Sequence, residues 1–145
     1  MVKSYGQQCP IACALDLLGE RWTLLLVREL LTGPKRFSEL QATLDGIPPN
    51  TLSARLCRLE EHRIVHRKLL PERPPRAEYS LTEVGQELWL PLRAIGLWGT
   101  RHIQRKVKRV HRQCRGEVQF SLVCGVCAQE VNDSDTMMVK TRRGP

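Results

Sequence analysis

A mainly α-helical domain carrying one small β-hairpin is what this chain predicts, and three observations carry the prediction. Apolar residues recur at three- and four-residue spacing from Ile11 to Leu30 and again from Leu40 to Leu59, the period of helices with one buried face. From Ile64 to Leu81 the pattern becomes two short alternating runs around a proline-rich centre. Beyond residue 106 the chain turns basic and then cysteine-containing. The expected organisation is one domain over 1–106 and a tail over 107–145.

Each element has a local reason. "IACALDLLGERWTLLLVRELLTG" reads as helix, with Ile11, Leu15, Leu18, Trp22, Leu25, Leu26 and Leu30 on the apolar spacing. Gly19 separates a short first helix from a longer second one, which Gly33 and Pro34 stop. In "FSELQATL" the pair Ser38 and Gln41 fits a capping box, so a third helix is expected to start at Ser38. "DGIPP" is a tight connection to a fourth helix, with Leu52, Leu56 and Leu59 facing inward. "IVHRKLL" and "AEYSL" suit strands, and "PERPPR" between them cannot hold a ladder because its prolines remove donors. Thr82 caps a long helical segment whose stripe is Leu88, Leu92, Ile95 and Ile103, and Pro91 is expected to kink it. No internal repeat is evident.

Composition narrows the function classes. Hydrophobic residues make up 41% and aromatics 5%, so a core forms but must be aliphatic. The longest apolar run, "LLLV", is far short of the roughly 20 residues of a membrane span. "MVKSYGQQCP" lacks the features of a secretory signal, so a cytoplasmic location without membrane contact is expected. The net charge of +8 favours an anionic partner. That charge is clustered: Arg101 to Arg115 holds seven Lys or Arg and no acid, and Arg55 to Arg76 is rich in arginine. There is no G-x-S-x-G, phosphate-binding glycine loop or pair of acids in an apolar setting, so no enzyme is expected. Asp16, Glu20, Glu60 and Glu61 read as surface or ion-pairing residues, and His62 and His66 as exposed or structural ones.

Helix, helix, turn, helix and a basic-tipped hairpin follow the order of a winged helix-turn-helix. A recognition helix needs one apolar face to seat it and one small, polar or basic face for a DNA groove. Leu52, Leu56 and Leu59 supply the first. Thr51, Ala54, Arg55 and Arg58 are expected opposite, with Asn50 and Ser53 near the helix start. Arg36, Ser38 and Arg67 are further candidates for DNA contact, and Arg73 and Arg76 at the hairpin tip are placed to reach the minor groove or backbone. Taken singly, these arginines are equally well read as solvated faces. A docking module for an acidic protein is the alternative reading of the same basic face.

"CPIACALDLLGERWTLLLVRELLTGPKRFSEL", "GIPPNTLSARLCRLEEHRIVHR", "PPRAEYSLTEVGQEL" and "LWGTRH" resemble the HxlR family of bacterial transcription regulators, relatives of the MarR group, over residues 9 to about 102. The resemblance implies a homodimer joined largely through the first and last helices, with two winged domains on a pseudo-palindromic operator. It also implies that Arg55 and Arg58 lie on the recognition helix and Arg73 and Arg76 on the wing. Pro48 departs from the Ser or Thr common in the family at that place; having no side-chain oxygen, it moves the expected helix start towards Asn50. A stripe of Leu88, Leu92, Ile95 and Trp98 independently asks for a partner surface or for its own first helix. A dimer would set two recognition helices about one DNA turn, roughly 34 Å, apart.

The six cysteines fall in two settings. Cys9 sits at the mouth of the first helix, where the family often carries a cysteine that in several relatives senses oxidants or electrophiles; a helix N-terminus favours thiolate. An inert packed cysteine is the competing reading. Cys13 lies one turn on, and Cys57 on the fourth helix is expected to pack. In the tail, His111-x2-Cys114 and Cys124-x2-Cys127 are separated by nine residues, as two halves of a small zinc ribbon would be. A ribbon that has lost its metal and a redox CxxC remain alternatives. No cofactor is required for the DNA-binding reading; zinc in the tail is the one candidate.

Overall fold

The computed structural model describes residues 4–139. Packing divides the chain into two units between Arg93 and Ala94, inside a helix and ahead of the 106/107 boundary expected from composition. In the first unit, α1 (Pro10–Leu18), α2 (Thr23–Leu30), α3 (Phe37–Thr43) and α4 (Pro49–Glu61) precede a hairpin of β2 (Val65–Leu70) and β3 (Arg76–Leu81). A two-residue strand, β1 (Lys35–Arg36), joins the hairpin, giving an antiparallel sheet in the order β1-β3-β2. It is too short to show any period in the sequence.

The core is aliphatic, as the composition requires. Leu26, Val27 and Leu30 of α2, Leu40 and Leu44 around α3, and Leu52, Leu56 and Leu59 of α4 close on Ile47, Ile64, Val65 and Leu81. Each such side chain contributes about 1.5–3 kcal/mol on burial, and the three leucines of α4 fix which way that helix faces. α1 is the exception: it buries only Ala12, while Ile11 and Leu15 stand exposed.

Several ends differ by a residue from expectation, each for a physical reason. α3 starts at Phe37, not Ser38, because the Glu39 carboxylate reaches back to accept from the Arg36 backbone N–H at 2.6 Å. α4 starts at Pro49 with Pro48 before it, since a proline in the first turn lacks an N–H that would have no intrahelical partner anyway. Thr82 caps α5 (Glu83–Glu87) by accepting from Gly85 N–H at 3.1 Å. Gly85 is needed there: a Cβ would stand 2.1 Å from the Ile64 carbonyl oxygen. The chain breaks at Leu88 and resumes as α6 (Trp89–His102). Leu88 keeps a helical conformation and accepts from Leu92 N–H at 3.1 Å, so the expected disturbance at Pro91 takes the form of a one-residue interruption three positions before it, where the proline has no N–H for the Glu87 carbonyl.

The second unit carries most of α6 and, further on, a ribbon of β4 (Leu122–Val123) and β5 (Glu130–Val131), followed by one 3₁₀ turn, Asp133–Asp135. No residue from 107 to 139 is buried, and only Val118, Cys124 and Val131 are half-buried.

Candidate nucleic-acid interface

α4 turns a narrow stripe outward: Asn50, Ser53, Ala54 and Cys57 are exposed. Their spacing of three, four and seven residues puts them on one face, away from Leu52, Leu56 and Leu59. Small side chains over most of that stripe allow close approach to a groove. Thr51 is half-buried at its edge.

Arg55 and Arg58 do not join that stripe, contrary to expectation. Arg55 follows Leu52 by three residues and precedes Leu59 by four, so it lies on the seated side of the helix. Its guanidinium pairs with the Glu20 carboxylate, and its Nε donates to the Arg21 carbonyl at 3.3 Å. Arg58 stands 3.5 Å from the other Glu20 oxygen and donates to the Asp16 carbonyl. About one-fifth of each arginine side chain is exposed, 21% and 20%. The last turn of α1 and the link to α2 thus grip α4 through one carboxylate and two carbonyls. Trp22, with φ +80, turns the chain there at a backbone cost of order 1–3 kcal/mol. Glu20, expected to be a surface or ion-pairing residue, is an ion-pairing one, and its partners are the two arginines expected in the groove; the three-and-four spacing of Arg55 to the α4 leucines is the sequence signal for that placement.

The hairpin tip holds a second acidic anchor. Glu72 accepts from Arg36 at 2.5 Å and stands 3.8 Å from Arg76. Arg67 and Arg73 are exposed and have no ion pair among the described residues. Ser38 is exposed in the first turn of α3. The wing therefore offers Arg67 and Arg73 outright, and Arg36 and Arg76 partly neutralised.

The cysteines are all free among the described residues. Cys9 is half-buried at the start of α1; Cys13 is exposed, its thiol 3.6 Å from the Gln7 carbonyl. Cys57, expected to pack, is exposed on the outer stripe instead. The Glu61 carboxylate, 3.5 Å away, accepts from its thiol and repels the thiolate, which raises its pKa. In the tail, His111 Nδ1 is 3.3 Å from Cys114 Sγ. Backbone N–H groups of Cys127 and Val126, with the Cys127 side chain, favour the Cys124 thiolate and lower its pKa. Among the described residues no three His, Cys, Asp or Glu side chains converge on a common point.

A seated helix with a small outward face beside a basic hairpin is the working surface of a winged helix-turn-helix. The HxlR-like helix-turn-helix family model matches residues 17–107. The chain belongs to the HxlR family. It is accordingly a helix-turn-helix transcription regulator. The HTH-type transcriptional regulator Rv3095 of Mycobacterium tuberculosis is 38% identical over 122 residues, covering 81% of this chain and 77% of its own. The crystal structure of PA1607 superposes with a TM-score of 0.77 at 30% identity, over 94% of this chain and 97% of that one. The redox regulator HypR in its reduced form gives a TM-score of 0.62 at 33% identity, over 68% and 100%. No helix among the described residues of this HxlR chain is long and apolar enough to cross a membrane.

Proposed function

We propose that this HxlR protein is a cytoplasmic, homodimeric regulator that reads a pseudo-palindromic operator through the outer stripe of α4, without a cofactor for that task. The observation that carries the reading is the stripe itself: Asn50, Ser53, Ala54 and Cys57 exposed along a helix whose opposite side is locked by three leucines and two paired arginines. Asn50 supplies the amide suited to adenine, and Ser53 and Thr51 supply hydroxyls. Arg67 and Arg73 engage flanking phosphates or the minor groove, with Arg36, Arg76 and Ser38 adding to that edge. Arg55 and Arg58 orient the helix rather than read bases. Dimerisation covers the apolar residues that α1 and α6 each leave exposed, Ile11 and Leu15 on one, Ile95, Trp98 and Trp89 on the other.

Cys9 is the proposed oxidant sensor, supported by the likeness to HypR and by its place at the start of α1. The last turn of α1 carries the Asp16 carbonyl and the link after it carries Glu20, both of which hold α4, so a displaced α1 disturbs the reading helix directly.

The test is binding to fragments of the protein's own promoter and to an unrelated duplex, across salt. Asn50→Ala and Ser53→Ala are each expected to cost about 1–3 kcal/mol on the operator and leave random DNA unchanged. Equal losses on both duplexes would remove α4 from base reading. Absence of DNA binding at moderate salt would return the basic surface to an acidic protein partner. Cys9→Ser is expected to abolish the loss of binding on oxidation; a retained loss places the sensor elsewhere.

A further inference from the structure

The tail contains a short internal repeat that hydropathy patterning does not reveal. Val110-His111-x2-Cys114-x2-Glu117 and Val123-Cys124-x2-Cys127-x2-Glu130 share one pattern. The structure gives both copies the same backbone. In the first, His111 N–H donates to the Gly116 carbonyl and Arg115 N–H to the His111 carbonyl, each at 2.9 Å. In the second, Cys124 N–H donates to the Gln129 carbonyl and Ala128 N–H to the Cys124 carbonyl, again each at 2.9 Å. Arg115 and Ala128 occupy equivalent places with φ of +59 and +58, a left-handed conformation that neither residue favours. The flanking pairs also correspond, Val110 with Glu117 and Val123 with Glu130.

Such a duplicated turn needs a reason, and a hydrophobic core is not one. Nothing from residue 107 to 139 is buried. Segments below roughly 40 residues hold a fold only with a disulfide, a metal or a partner. The cysteines here are free. What the two turns do share is a nitrogen or sulfur ligand at the first position and a cysteine three residues on.

We infer that His111, Cys114, Cys124 and Cys127 bind one structural zinc ion, each turn supplying half of a tetrahedral Cys3His set. That donor set and the two x2 spacings are those of closed structural zinc sites. The first pair is already formed, with His111 Nδ1 and Cys114 Sγ 3.3 Å apart. The pairs do not converge among the described residues, so the ion would draw the two ribbons together. The connection between them, Arg115 to Val123, has only Val118 half-buried and offers little packing to oppose that closure. Metal binding and ordering of the tail are then one event, with proton release from the thiols.

The full chain, purified under reducing conditions, is to be assayed for zinc by elemental analysis and for Co2+ uptake by visible absorption. The expected result is about one zinc per chain and the intense bands of a tetrahedral, thiolate-rich Co2+ site. His111→Ala, Cys114→Ser and Cys124→Ser should each weaken Zn2+ affinity beyond the roughly 10–100-fold that loss of an outer-shell partner costs. Cys9→Ser and Cys57→Ser should leave both signals intact. Removing the metal should speed amide exchange in 107–139 while thermal unfolding of the first unit stays put, which separates this site from the DNA-binding reading. Substoichiometric zinc with no Co2+ spectrum would overturn the inference. So would half a metal per chain that survives replacement of His111 and Cys114, because that site would use the CxxC pairs of two chains.

Discussion

Replacing Glu20 with alanine should loosen the reading helix without touching its outward face. The substitution leaves two guanidinium groups facing a protein wall with only carbonyl partners, Arg21 for Arg55 and Asp16 for Arg58. Breaking a buried pair costs about 3–5 kcal/mol and an exposed one about 0–1 kcal/mol. Here the three side chains are 20–23% exposed, between those limits. A loss of about 2 kcal/mol follows, roughly a 30-fold fall in the ratio of folded to unfolded protein. For a unit of this size it corresponds to a Tm lower by roughly 10 °C. Thermal and denaturant unfolding followed by circular dichroism measures it. A double-mutant cycle of Glu20→Ala with Arg55→Ala should show coupling above about 1 kcal/mol. Arg55→Ala should lower stability and weaken all DNA, leaving the ratio of operator to random affinity within a few-fold. A Glu20→Ala protein within about 0.5 kcal/mol of the parent would refute the clamp. An Arg55→Ala protein of full stability that had lost its operator preference would return Arg55 to the bases.

Three further outcomes follow from the same geometry. Arg73→Ala should weaken operator and random DNA alike and reduce the slope of log affinity against log salt by about 1; an unchanged slope takes the wing tip off the phosphates. Glu61→Gln removes the charge that raises the Cys57 thiol, so more thiolate is present at neutral pH and Cys57 should alkylate faster with iodoacetamide; an unchanged rate would show that Glu61 does not govern it. Asp16 has its pKa lowered first by the Ser4 hydroxyl and then by the Tyr5 N–H, at 2.7 and 2.9 Å. The sign is that of a depressed carboxylate: the contact is fully present at neutral pH and is lost as pH falls below the ordinary carboxylate range. Asp16→Asn should therefore speed exchange of the Tyr5 amide at pH 7, and the parent should approach the variant only in acid.

Local chemistry settles much of this protein in advance. The three-and-four spacing of leucines marks α2 and α4, Thr82 announces the helix after the wing, and the prolines between Leu70 and Arg76 confine the strands to either side. These are short-range effects of sterics, capping and burial, so they are written within a few residues of one another. The family is equally legible, because the helix-turn-helix and wing follow one another along the chain. What tertiary structure alone decided is where the long side chains go. Arg55 and Arg58 look like groove readers until Glu20, 35 and 38 residues away, closes on them. Arg36 is drawn to Glu72 of the hairpin loop for the same reason. Charge pairs of this kind depend on which backbones pass within a few ångströms, and a long arginine side chain can serve either partner. Pro91 shows the same limit in the backbone. A kink is expected from sequence, and the structure places the interruption at Leu88, three residues before the proline.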